Sequence, residues 1–134
     1  MQPPVLLRYH RGRRVLEVGF EGSPAAELSA EFLRVHSPSA EVQGHGGVGG
    51  MLVGGKSGVG IQRLEPVGHY AIRIHFDDGH NTGLYTWPIL ADFVQNRNSL
   101  WNRYLERLAE HGMSRDPGAV TKLSALLEAD RKKS

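Results

Sequence analysis

Residues Gly50-Met51-Leu52-Val53-Gly54-Gly55-Lys56-Ser57 match the phosphate-binding pattern G-x-x-x-x-G-K-[ST] letter for letter. That loop holds phosphate because it follows a buried strand and opens a helix, so that amides and the lysine converge on the anion. The sequence supplies neither neighbour. His45 to Gly49 offers no apolar strand before the motif, and Gly58-Val59-Gly60 leads into a β-like run instead of a helix. Glycine fills about half of residues 44–60, which makes a chance match easy and implies a loop or thin hairpin. The expectation is a loop that binds no nucleotide.

Two histidine patterns invite a metal. His75-Phe76-Asp77 is an H-x-D pair, and on a strand residues two apart point the same way, as two of the three facial ligands of iron(II) oxygenases do. The second histidine such a site needs has one distant downstream candidate, His111, on a predicted helix, so the pair reads better as a histidine beside a turn aspartate. His36, His45 and His80 form the other pattern, with Asp77 or Asp78 as an oxygen donor. This set would suit iron or zinc, although a lone histidine more often serves as a hydrogen-bonding residue. No serine or lysine lies in a nucleophile motif, and no acid–base pair stands out, so an enzyme is not expected.

The elements that must position these residues follow from periodicity. Leu6 to His10 and Arg14 to Phe20 read as strands joined by a turn at Arg11-Gly12-Arg13, with Leu16, Val18 and Phe20 on one face of the second. Ser29 reads as the N-cap of a short helix holding Glu31, Phe32 and Leu33. Ile61 to Val67 and His69 to Phe76 are predicted strands, the latter with Tyr70, Ile72, Ile74 and Phe76 on one face. Asp77-Asp78-Gly79 is a hairpin turn signal, and Leu84 to Trp87 is the returning strand. Thr86 or Trp87 starts a helix with Pro88 in its first turn, and Asn98 caps a further helix that Gly112 closes. Asp116-Pro117 opens a third helical pattern through Val120, Leu123, Leu126 and Leu127. Strands first and helices last predict an α+β fold: a small antiparallel sheet of hairpins with two or three helices packed on it, the C-terminal half helical.

Composition narrows the function classes. At 134 residues the chain fits one domain with a real core, and no apolar run is long enough to cross a bilayer. Met1-Gln2-Pro3-Pro4 lacks the start of a signal peptide, which points to the cytoplasm. The chain has no cysteine, which excludes disulfides and thiolate ligands. A net charge of +2 is weak despite a pI near 9.2, and neither a basic face nor a stacking motif suggests nucleic acid.

Several segments are distinctive in order. They are Leu33-Arg34-Val35-His36-Ser37-Pro38-Ser39-Ala40-Glu41-Val42-Gln43-Gly44-His45-Gly46, then Glu65-Pro66-Val67-Gly68-His69-Tyr70-Ala71, then Phe76-Asp77-Asp78-Gly79-His80 and Gly83-Leu84-Tyr85-Thr86-Trp87. Together they resemble the γ-butyrobetaine hydroxylase-like N-terminal domain family in its small stand-alone bacterial form, over residues 4–112, with 113–134 as an extension, helix or flexible tail. The resemblance implies a domain that precedes a separate iron and 2-oxoglutarate catalytic domain in carnitine-pathway hydroxylases; hydroxylase activity is not expected of these residues. Similar domains also occur joined to P-loop iron–sulfur carriers. The hydroxylase version holds zinc through C-x-C-x-x-C and a histidine. The resemblance places Ser37, Ser39 and Val42 at the cysteine positions and His80 at the histidine. Serine is a poor zinc ligand and valine none, so Ser37, Ser39 and His80 are expected to form a hydrogen-bonded knot in place of the metal.

The expectation is a non-catalytic accessory or binding module whose partner is another protein and whose surface uses Arg34, His45, His80, Tyr85 and Trp87. Tyr85 and Trp87 could equally be core, and Arg34 a helix-end residue. The alternative is a metal-binding protein, iron or zinc, using His45 and His80 with His36 or Asp78.

Overall fold

A computed structural model describes residues 1–39 and 51–118. β1 (Leu6–His10) and β2 (Val15–Gly19) form an antiparallel hairpin in the register Leu7↔Val18 and Tyr9↔Leu16. Arg14 belongs to the turn and not to the strand, because it closes the hairpin at φ 53°, in the left-handed region. β2 then pairs with β3 (Ala26–Ser29), a strand that the sequence pattern did not announce. Alanine and glutamate carry little strand propensity, and what holds β3 is its register on β2, which buries Leu28 opposite Leu16.

Ser29 ends β3 and caps α1 (Ala30–Val35), its hydroxyl accepting from the Phe32 amide at 3.0 Å as its position predicts. The second sheet runs β4 (Ile61–Val67), β5 (Ala71–Phe76) and β6 (Leu84–Thr86), also antiparallel, with β5 in the middle. Ile72, Ile74 and Phe76 form the buried face of β5 as predicted, but Tyr70 falls in the preceding turn and stays 53% exposed.

Thr86 caps α2 (Trp87–Glu110), accepting from the Ile89 amide, with Pro88 in the first turn. Two helices were expected across this stretch. The structure has two helical stretches that run together through a break at Asn96, whose φ/ψ of −112°/17° leave the helical region two residues before the expected cap at Asn98. Local side chains tolerate the bend: Arg97 Nη1 donates to the Val94 carbonyl at 2.6 Å, and Ser99 Oγ to the Asn96 carbonyl at 3.1 Å. Gly112, at φ 62°, ends the helix as predicted.

The sheets share one core. Leu16, Val18 and Leu28 meet Ile72, Ile74 and Phe76, with Phe32 and Leu33 of α1 and Leu90 and Phe93 of α2 closing it. Val35, Tyr104 and Leu108 form a smaller cluster beneath Leu52 and Trp101. The architecture is therefore α+β, two small three-stranded antiparallel sheets with α2 packed across them. The third helix expected from Asp116-Pro117 onward lies mostly outside the described residues.

Candidate functional site

The hairpin turn between β5 and β6 gathers most of the candidate side chains. Gly79 supplies φ 93°, and its amide donates to the Phe76 carbonyl at 3.2 Å. Asp78 is thereby aimed at two cations from different elements. Arg34 Nε from α1 and Lys56 Nζ from the loop before β4 both lie 2.7 Å from Asp78 Oδ2, and the His80 amide donates to Oδ1 at 3.1 Å. Burial alone would raise the Asp78 pKa, but the bonds from Lys56, the His80 amide and Arg34 outweigh it and hold the carboxyl at about 2. Arg34 Nη1 is buried without an acceptor, the one such side-chain atom among the described residues.

A second bond ties the segment after α1 to the same turn. Ser37, fully buried, has its hydroxyl 2.9 Å from His80 Nε2. Gly83 crosses so closely that a Cβ there would collide with Ser37 Oγ. Ser39 is also buried, at 3% exposure. Of the expected knot, the Ser37–His80 bond is thus in place.

Tyr85 and Trp87 were candidates for the surface, and the structure puts both inside. Tyr85 has no exposed area; its hydroxyl donates to the Leu33 carbonyl at 2.6 Å, and burial pushes the phenol far above its usual range. Trp87, 7% exposed, donates from Nε1 to the His69 carbonyl at 2.7 Å. Each places its polar atom on a backbone carbonyl, as buried aromatics with a polar handle usually do.

His36 sits elsewhere, beneath α2. Its Nδ1 is 2.8 Å from the Phe32 carbonyl, and its ring packs against Phe32, Phe93 and Tyr104. Burial lowers its pKa, partly opposed by the Phe32 and Leu100 carbonyls, so the neutral ring is favoured. His75 Nε2 lies 2.7 Å from Glu65 Oε1 on β4, while Asp77 turns toward Gly60, where a Cβ would meet its Oδ2 at 2.9 Å. The H-x-D residues therefore do not converge. No three histidine, aspartate or glutamate side chains converge on a metal-sized site among the described residues, and His45 lies outside them.

The P-loop-like segment folds as its context predicts, without a helix after it: residues 57–60 are turn and coil that run into β4. Its lysine is the one paired with Asp78. The amides of Gly55 and Ser57 donate to the carbonyls of Ser114 and Arg115, at 2.8 and 3.0 Å.

That last pairing belongs to a long-range arrangement around Arg115. Arg115 makes two bonds to Glu31, 2.8 and 2.7 Å, and lies 5.1 Å from the Trp101 ring centre. The sequence places Glu31 in the first turn of α1 and indicates no partner for it. Nothing in residues 84 positions apart signals the pairing; the faint clue was an acid at a position of α1 facing the core. Tyr104 adds a bond from its hydroxyl to the Val53 carbonyl at 2.6 Å, and burial, followed by the Glu31 charge, raises its phenol to about 12.

Fold and site together define a small α+β domain whose chemistry-bearing side chains are engaged with one another at a sheet hairpin. The chain belongs to the γ-butyrobetaine hydroxylase-like N-terminal domain family, whose sequence pattern matches residues 7–91. Two proteins solved by NMR resemble it over 87% of its length. One is 46% identical, with 92% of its own chain covered and a TM-score of 0.76; the other is 44% identical, with 87% covered and a TM-score of 0.75. A crystal structure from Acidithiobacillus ferrooxidans, of a protein of unknown function in the DUF971 family, is 39% identical. That likeness covers 65% of this chain and 86% of the other, with a TM-score of 0.54. No curated protein matches.

Proposed function

We propose that this domain is a non-catalytic accessory module that docks another protein through the β5–β6 turn and the side chains beneath it. The carrying observation is how the reactive groups are used. Asp78 is bonded to Lys56 and to the His80 amide, and the His80 ring to Ser37, and a cavity of about 420 Å³ between Phe20, Pro24, Ala91 and Val94 contains none of them. Catalysis needs a positioned acid, base or nucleophile open to a substrate. Docking needs an accessible surface, and Asp77, Gly79, Asn81 and Thr82 are exposed to solvent. The family link to a hydroxylase N-terminal domain, and the resemblance to domains joined to iron–sulfur carriers, support a partner that is a dioxygenase or a cluster-assembly protein.

A photo-crosslinking residue in place of Asn81 tests this in cells. The expected result is a discrete adduct that excess unlabelled domain competes away; a protein that yields no competable adduct refutes the docking reading. The metal-binding alternative, iron or zinc through His45 and His80 with His36 or Asp78, is separated by elemental analysis of untagged protein. Stoichiometric metal lost on His80→Ala would establish it in place of the docking role assigned to His80.

A further inference from the structure

Arg34 and Lys56 reach the same oxygen of Asp78, so two positive charges face one carboxylate. A guanidinium offers its donors as a planar fork suited to two parallel bonds to one carboxylate. Asp78 engages Nε alone and leaves Nη1 buried with no acceptor. Buried donors are almost always paired, and an orphan on a cation marks a place where something is owed an acceptor. Asp78 also stands on a hairpin tip whose neighbours Asp77, Gly79, Asn81 and Thr82 are exposed, whereas Arg34 and Lys56 belong to the segments behind it.

We propose that Arg34 and Lys56 form a recognition site for a carboxylate, presented by an aspartate or glutamate of a partner protein, and that Asp78 holds this site until the partner displaces it. The inference rests on the docking reading and names the chemistry of the docked group. A carboxylate fits better than a phosphate. The amides of Gly55 and Ser57, which would complete a phosphate cradle around Lys56, are already bonded to Ser114 and Arg115. A planar two-oxygen acceptor matches what remains, the Arg34 fork and one ammonium. The lysine of the P-loop-like motif thus has a use that requires no nucleotide.

The test is an NMR titration of ¹⁵N-labelled protein, following the Arg34 Nε–Hε signal and the Lys56 and His80 amides. The probes are N-acetyl-glutamate N-methylamide, inorganic phosphate and chloride at matched ionic strength. Wild-type protein should show weak saturable shifts with the glutamate probe, and Asp78→Asn should bind it about tenfold more tightly, since the internal competitor is gone. Lys56→Gln, which keeps the Arg34–Asp78 pair, should weaken binding and serves as the second variant should Asp78→Asn not fold. Shifts no larger than chloride produces, in folded wild-type and in whichever variant folds, would overturn the proposal. So would tighter binding of phosphate than of the glutamate probe. The Asn81 crosslink keeps the two readings apart: an adduct undiminished by Lys56→Gln and Arg34→Gln leaves docking standing and refutes the carboxylate site. A glutamate site in a protein that gives no adduct refutes docking alone.

Discussion

Ser37 and His80 stand 43 positions apart and meet at 2.9 Å in a place where burial makes an unpaired hydroxyl or ring nitrogen costly. Ser37→Ala should lower stability by about 1–2 kcal/mol, read as a shift in the denaturant midpoint at unchanged slope. An unshifted midpoint would mean the bond has no net value. Asp78 makes a different prediction. Its folded pKa, about 2, lies below the ordinary 3.8, so the unfolded chain binds the proton more readily. The stability it contributes is therefore complete above about pH 4 and disappears as pH falls toward 2. Asp78→Asn should flatten that part of the stability–pH curve. An identical acid limb in both proteins would show that the two cations do not stabilise the fold through Asp78.

Among the elements, α2 shows how caps and packing divide the work. Pro88 and the apolar-periodic run made a helix start legible at Thr86 or Trp87; the structure makes Thr86 the cap, and Thr86→Ala should cost about 1 kcal/mol in denaturant unfolding. A loss well below that would mean packing alone fixes the start of the helix. The break at Asn98 was a reasonable reading of local chemistry, since asparagine and serine favour caps. The structure breaks two residues earlier, at Asn96, and Leu100, Trp101 and Tyr104 pack beyond the break, so the second helix follows the first without an intervening loop. β3 is a different case. Its residues carry no strand signal, and the pairing with β2 that creates it cannot be seen in four residues read alone.

For the whole molecule, the segment after Gly112 is the instructive case. The resemblance ended at residue 112, yet the next residues are bonded to the body: Ser114 and Arg115 to the Lys56 loop, and Arg115 to Glu31 of α1. Glu31 is 7% exposed in its side chain and Arg115 45%, so removing the arginine strands a buried carboxylate. Arg115→Ala should cost roughly 2–3 kcal/mol, discounted from a fully buried pair because the arginine is half in solvent. Wild-type stability in that variant would mean the contact is ornamental. The hairpin at 6–19, strands near 61–67 and 71–76, the cap at Ser29, a helix start at Thr86 or Trp87, and the lack of a nucleotide-binding helix after Lys56 were all readable along the chain. Each depends on neighbours a few residues away, through strand alternation, cap chemistry and turn geometry. The burial of Tyr85 and Trp87, the convergence of Arg34 and Lys56 on Asp78, and the Glu31–Arg115 pair were decided only when the chain closed on itself. Solvent exclusion and long-range charge pairing have no period in sequence, so they exist only in the folded molecule.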